Sequence, residues 1–443
     1  MSSATDAGGA RRVVDFDHHS SELPEMCQDL GVGAVLSSYQ SECPVGWSER
    51  HGGFWFVTGY DELKQIAVDD KRFSSAFVED PADPDRLGYR GVGVPALNPF
   101  PFGFLEMDDP DHGYVRRALN PMLTPAAVER WQPVIDDLTD AFIDRVIEAG
   151  ECDLIDDIAS PIPAVLTLML LGAPVDRWKD WARAAHMANG TSPGTPEKAA
   201  AEADMNAMVA EIGALIADLR EHPERSVPGS LLDAMMNQEI GGRKLADQEI
   251  LLHAVLIIAG GVDTTTSVMG AALKWLDRHP QERARLAADP SLVPGAVEEF
   301  LRVFSPATGL ARTAKCPVVV GDQTIEEGER VLLLFAAANY DPSAFDDPTS
   351  VIIDRKVNRH TTFGLGGHRC IGLHFARATF VTVLREVLAR MPDHSIEHAA
   401  AKVYPDISVN QGWISLPMRF TPGTRVGSDF SPESAGVGAV ETG

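Results

Sequence analysis

Apolar residues recur with helical spacing through most of residues 125–305, and the longest such stretch runs from Asp247 to Arg278. Asp247 is the expected N-cap, Glu249 falls in the first turn, and His279-Pro280 marks the stop. At 1.5 Å per residue that helix is about 45 Å or more long, enough to cross a whole globule. Its centre, LLHAVLIIAGGV, is apolar nearly all round, the pattern of a helix buried on every side. Strand patterns are fewer. Gly53 to Lys71 reads as a short aromatic and β-branched strand, a glycine turn and a helix. Two more strands, Val318 to Val320 and Val331 to Phe335, flank GDQTIEEGER and suit a small hairpin-like sheet. The chain is therefore expected to be mainly α with a smaller β part.

No Pro/Gly/Ser-rich linker divides the core, which predicts one large domain over residues 14–422. Residues 1–13 and 423–443 are rich in small and acidic residues without periodicity and are expected to be disordered tails. Between two helical stretches, Gly190 to Glu197 forms a Gly- and Pro-containing loop suited to covering a pocket.

Two features depart from ordinary helix and loop grammar. Gly260-Gly261 interrupts the long helix at its centre, each glycine costing about 1 kcal/mol relative to alanine, and Val262, Asp263, Thr264, Thr265 and Thr266 follow. One reading is a bend where hydroxyls compete for backbone carbonyls. The other is a groove where a ligand approaches the backbone beside an acid and an alcohol able to relay protons. The second feature is HTTFGLGGHRCIGLHFARATF, residues His360 to Phe380. Gly364, Gly366 and Gly367 let the loop fold tightly and turn amide N–H groups toward the Cys370 sulfur, which with the following helix start favours a thiolate. Gly372 leaves room for a flat ligand, and Phe363 can pack beside the sulfur. An inert buried thiol and a phosphate cradle are the competing readings, although the loop lacks the GK[ST] ending of the latter.

Composition narrows the field. Of 443 residues 44% are hydrophobic and 23% charged, so the chain can bury a sizeable core. A formal charge of −26 repels phosphate backbones and anionic lipid, which argues against nucleic acid. Five scattered cysteines, Cys27, Cys43, Cys152, Cys316 and Cys370, give neither a disulfide framework nor a CxxC metal site and fit a reducing cytoplasm. The first residues lack the apolar stretch of a signal peptide and no run approaches about 20 apolar residues, so no membrane anchor is expected.

The run Phe363 to Gly372 matches, at every defining position, the FGxGxHxCxG haem-binding loop of the cytochromes P-450, the haem-thiolate monooxygenases. Gly260 to Thr264 resembles the oxygen-binding groove of that family's long central helix, Glu299 to Arg302 its ExxR motif, and His112 to Arg116 its HxxxR. The resemblance spans nearly the whole ordered chain and implies the cytochrome P-450 fold around haem b (heme b, iron protoporphyrin IX). It makes Cys370 the thiolate ligand of iron, with Phe363, Gly372 and Gly260 beside the cofactor, and it gives Asp263 and Thr264 the delivery of protons during O2 activation. By the same resemblance His112, Arg116, Arg312 and His368 hold the haem propionates. Glu299 and Arg302, three apart on a helix face and in isolation an ordinary exposed ion pair, become an internal structural pair.

Several further expectations follow from the resemblance. Arg116, Arg117, Arg369 and Arg377 would cluster on the cysteine-bearing side as a docking patch for an acidic electron donor. The residues around the two glycines look most like bacterial camphor-hydroxylase relatives, which implies a ferredoxin and ferredoxin reductase. Phe102, Phe104, Leu256, Ala259, Gly260, Thr308 and Leu310 would line the pocket, whose apolar character suits a terpenoid or steroid-like molecule. A peroxide-driven haem-thiolate enzyme, a non-catalytic haem sensor and a haem-free helical protein are the alternatives.

Overall fold

The computed structural model describes residues 11–27, 31–41, 43–78, 90–96, 100–192, 194–428 and 430. A helical body occupies the middle of the chain, and four small sheets lie among its flanks. The helix Asp247–Arg278 runs unbroken through both glycines and is about 48 Å long. Asp247 is its first residue rather than its cap. Ala246 precedes it, and Glu249 folds back to accept the Ala246 N–H at 2.8 Å, which satisfies an end donor. Helices Pro161–Leu171, Trp178–Asn189 and Pro196–Glu221 pack against this central helix. Ile258, Val262, Val268, Met269 and Leu276 are therefore buried, each worth roughly 1.5–3 kcal/mol.

The five-stranded sheet has the order Val45–Ser48, Phe54–Val57, Arg330–Leu333, Leu310–Ala314, Phe73–Ser74. Phe54–Val57, the FWFV run, is buried throughout because it pairs on both edges, antiparallel to Val45–Ser48 and parallel to Arg330–Leu333. The expected hairpin between the two valine-rich strands is not what forms. Gly321, at φ +59°, turns the chain at once, so Val318–Val320 pairs with Gln323–Ile325, and Arg330–Leu333 is released into the large sheet. Leu310–Ala314 and Arg330–Leu333 lie side by side and bring Arg312 opposite Val331.

The tail boundaries also shift. Residues 1–10 and 431–443 lie outside the described residues, but Val13 bridges to Trp47, and Arg11 and Arg12 pair with Glu329 and Asp322. At the other end, the amides of Val426 and Gly427 donate to Asp144, and Arg425 pairs with Glu148. Charged side chains thus hold both segments against the body. In the predicted loop, Glu197 belongs to the first turn of Pro196–Glu221, whose start Thr195 caps by accepting the Lys198 N–H. Two helical segments, Leu154–Leu171 and Asp247–Arg278, are long and apolar enough to span a bilayer, but 78% and 61% of their apolar windows are buried inside the protein.

Candidate functional site

The cysteine loop is shaped by its glycines. Gly366, at φ +70°, lies so close to the end of the helix Tyr60–Ala67 that a Cβ would sit 2.3 Å from the Ala67 carbonyl oxygen. A Cβ on Gly367 would meet Asp70 at 2.6 Å. No side chain fits at Gly366, one at Gly367 would have to push the Asp70 carboxylate aside, and the loop lies against the end of Tyr60–Ala67 and the residues after it. The Cys370 amide donates to the Phe363 carbonyl at 2.7 Å, which closes the loop just before the helix Leu373–Arg390. Gly372 has open space where a Cβ would be.

Cys370 is accessible, but its surface faces an internal cavity of about 300 Å³. Burial accordingly pushes the thiol up. A hydrogen bond from the Gly372 backbone and the charges of Arg116, Arg377 and Arg369 pull the other way. The same cavity is lined by the middle of the central helix, with Leu256, Gly260, Gly261, Thr264 and Val268 in the wall. The two glycines have different reasons to be glycine. A Cβ on Gly260 would enter open space, whereas one on Gly261 would lie 2.5 Å from the Thr167 hydroxyl of the neighbouring helix. Gly260 widens the cavity and Gly261 lets two helices touch. Thr264 faces the cavity while its hydroxyl donates to the Gly260 carbonyl at 2.9 Å.

Asp263 does not line the cavity. It is fully buried on another face of the helix, where it accepts from the Tyr404 hydroxyl and pairs with His186 Nδ1 at 2.9 Å. Burial lowers the imidazole's affinity for a proton, but the Asp263 hydrogen bond and charge, with Asp156 farther off, outweigh it and hold the His186 pKa above the ordinary value. His186 and Tyr404 belong to no motif, and no local pattern marks either one.

Four cationic or imidazole side chains gather on one side of the cavity. Arg312, Arg116 and His368 are in its wall, and His112 stacks on His368 with ring centroids 3.9 Å apart. Among the described residues, no carboxylate lies within ion-pair distance of Arg312, whose guanidinium donates only to the Ala311 carbonyl, and burial lowers its pKa to about 10. Burial and neighbouring positive charge also lower His112 to about 4 and His368 to about 2. His112 Nε2 and His368 Nδ1 are buried without a hydrogen-bond partner.

Residues 288–392 match the family profile described as Cytochrome P450. A steroid C26-monooxygenase of Mycolicibacterium smegmatis is 34% identical over 330 residues, 73% of this chain and 80% of that protein. Cytochrome P450 107B1 of Saccharopolyspora erythraea is also 34% identical, over 346 residues, 76% of this chain and 82% of its own length. Among solved structures, the versatile cytochrome P450 enzyme CYP109B1 from Bacillus subtilis superposes with a TM-score of 0.72 at 26% identity, covering 88% of this chain and 99% of that one. The chain belongs to the cytochrome P450 family. It has the cytochrome P450 fold and is a P450 monooxygenase, and members of this family bind haem b through a cysteine thiolate.

The cavity fits that cofactor. A P450 haem is flat and carries two carboxylates, and here an open-sided Gly372, an accessible cysteine, the two arginines Arg116 and Arg312 and the neutral imidazole of His368 line one cavity. Buried cations without an anion are unfavourable alone, and two propionates would neutralise them.

The P450 ExxR pair is internal. Glu299 and Arg302 are both fully buried and bonded at 2.7 Å and 2.9 Å. Arg355, which sequence reasoning missed, adds a third member by donating to Glu299 at 2.9 Å. Burial pushes the Glu299 carboxyl up, but the hydrogen bonds from Arg302 and Arg355 win and hold it below the usual carboxylate range.

Other expectations need correction. Phe104, Leu256, Gly260 and Leu310 line the cavity, but Phe102, Ala259 and Thr308 do not. The Phe102 side chain packs at the edge of the main core, Thr308 turns its hydroxyl to the Ile407 carbonyl, and Ala259 lies a hundred degrees round the helix from Gly260. Leu119, Leu123, Leu166, Leu170 and Leu231 complete the wall instead. Of the four-arginine patch, Arg116, Arg369 and Arg377 do gather within electrostatic reach of Cys370, but two of them are engaged elsewhere. Arg116 lines the cavity, and Arg377 is clamped by Glu298 at 2.6 Å and 2.8 Å over the Phe363 ring. Burial raises the Glu298 carboxyl, but His360 and Arg377 bring it down to about 2, so this charge pair is persistent. Arg117 and Arg369 remain exposed.

Proposed function

We propose that Cys370 ligates the haem iron and that the enzyme hydroxylates a hydrophobic small molecule of terpenoid or steroid type. The observation that carries the reading is that Cys370 lines the same apolar cavity as Gly260 and Thr264 of the central helix. When bound, haem supplies the reductive activation of O2 and the oxidising power for a C–H bond. Arg116, Arg312 and His368 hold its propionates, and His112 supports His368 from behind by stacking. Phe363 and the Gly372 amide shield the sulfur and share its negative charge.

Proton handling belongs to the central helix. Thr264 Oγ1 directs its own proton to the Gly260 carbonyl, so the oxygen's lone pairs are free to accept one proton and pass another at the cavity wall. Asp263 Oδ1 is the next station, held one residue away by His186 and Tyr404. His186 and Tyr404 are positioning residues: they keep the acid off the cavity until it turns toward Thr264.

Electrons are assigned to a ferredoxin and its reductase, supported by the look of the central-helix motif and by the exposed Arg117 and Arg369 as contacts for an acidic donor. The apolar lining supports the substrate class, as does similarity to a steroid C26-monooxygenase. A cytoplasmic location is supported by the burial of both long apolar helices within the fold. Thr264→Ala tests the reading. Product formed per reductant consumed should fall at least about tenfold while peroxide release rises and haem content stays constant. A non-catalytic haem sensor would show no dependence on this hydroxyl, and unchanged coupling would contradict the proposal.

A further inference from the structure

Three imidazoles converge outside the set of residues that line the main cavity. His18 and His19 stand side by side after the bridge at Val13, and the turn before Phe54–Val57 carries His51 to them. One ring nitrogen from each lies within 4.8 Å of the other two, and the ring centroids are 4.4 to 5.6 Å apart. His51 adopts φ +53°, a left-handed conformation that a residue other than glycine rarely takes.

Two of the three are backed by carboxylates. His51 Nε2 lies 2.8 Å from Asp17, and His19 Nδ1 lies 2.9 Å from Asp406. This is the outer arrangement that fixes the tautomer and orientation of a ligating imidazole. His18 is 3% exposed, and its Nδ1 has no hydrogen-bond partner. At His19 a further constraint appears. With Asp406 accepting the Nδ1 proton, the neutral ring presents a lone pair at Nε2, which lies 3.0 Å from the Val94 carbonyl oxygen. Two acceptors at that distance need a positive charge between them, either a second proton on the ring or a metal ion.

We infer that His18, His19 and His51 form a binding site for one borderline divalent cation of the zinc class, with the Val94 carbonyl placed to serve as an oxygen ligand. Imidazole ligands with one hard oxygen suit zinc, nickel or copper rather than magnesium or calcium. The ion would tie the N-terminal segment to the Arg50–Gly52 turn and to the 90–96 segment.

The probe is zinc itself, titrated calorimetrically into untagged, chelator-washed holoprotein. One equivalent should bind. His51→Asn, which keeps a residue tolerant of the left-handed conformation, should weaken binding about 100-fold, and Asp17→Asn about 10-fold. An unchanged Soret band certifies the fold of each variant, and His18→Gln replaces any variant that fails it. Absence of binding at millimolar zinc, or equal binding by the folded variants, overturns the site and leaves a proton on His19 as the cation.

Discussion

Replacing Arg302 by leucine is expected to leave little or no folded haem protein. All five guanidinium N–H groups are used: two donate to Glu299, and the others reach the carbonyls of Asn339, Pro348 and Ser350 at 2.7–2.9 Å. The rings of Tyr340 and Phe345 cover the group from 5.6 Å and 5.3 Å. Leucine would leave three carbonyls without their donor and a fully buried carboxylate with Arg355 as its one remaining cation among the described residues. Breaking one side of such a pair costs about 3–5 kcal/mol, a large share of the roughly 5–15 kcal/mol that holds a domain together. Lysine should not rescue it, because an ammonium cannot reproduce a planar fork serving five acceptor oxygens. Haem absorbance per milligram of soluble protein is the measurement, and a near-normal yield from Arg302→Leu would contradict the assignment. The same network sets an acid limit. Glu299 is held below its ordinary 4.5, so its contribution is complete above that value and is lost as the pH falls through the lower folded one.

The second large effect is expected from Asp263→Asn. Turnover should fall about 100-fold or more, the usual contribution of a positioned proton donor, with haem content unchanged. A purely structural asparagine defect would not touch His186 specifically, and this separates the two explanations. The imidazole is faced by Asp263 and Tyr404 and, through charge, by Asp156 and Lys179 lies near that acid in turn. Its raised pKa rests first on overcoming burial through Asp263. Without that charge, burial should carry the pKa below 6.5, which a histidine NMR titration would read. The sign for stability follows. The His186–Asp263 pair contributes fully below pH 6.5 and loses its contribution as the pH rises through the raised value, so Asp263→Asn should flatten that decline. Unaltered turnover together with an unmoved His186 titration would remove Asp263 from the proton path.

What the sequence revealed was local. The cysteine loop is contiguous, so its glycines, its sulfur and the following helix could be read together, and the central helix carried its period and its stop in its own residues. Distant pairings were silent. His186 and Tyr404 are 77 and 141 residues from Asp263, and Arg355 is 56 from Glu299, so nothing in one stretch announces the other. Spacing showed that Asp263 and Thr264 are adjacent but not that a helix turns neighbours about 100° apart, putting one on the cavity and the other behind it. Ala259 was misplaced for the same reason. Gly260 and Gly261 looked alike until the neighbouring Thr167 distinguished them. Within the arginine cluster, nothing local announced that Glu298, on another helix, pairs with Arg377.

The central claim is a bond between the Cys370 sulfur and haem iron, and the spectrum of the reduced, carbon monoxide-treated protein tests it most directly. The parent protein should show the long-wavelength Soret band of anionic sulfur ligation, and Cys370→His should lose that band while retaining haem through Arg116, Arg312 and His368. A folded, haem-loaded parent without the band, or a Cys370→His protein that keeps it, would contradict the account.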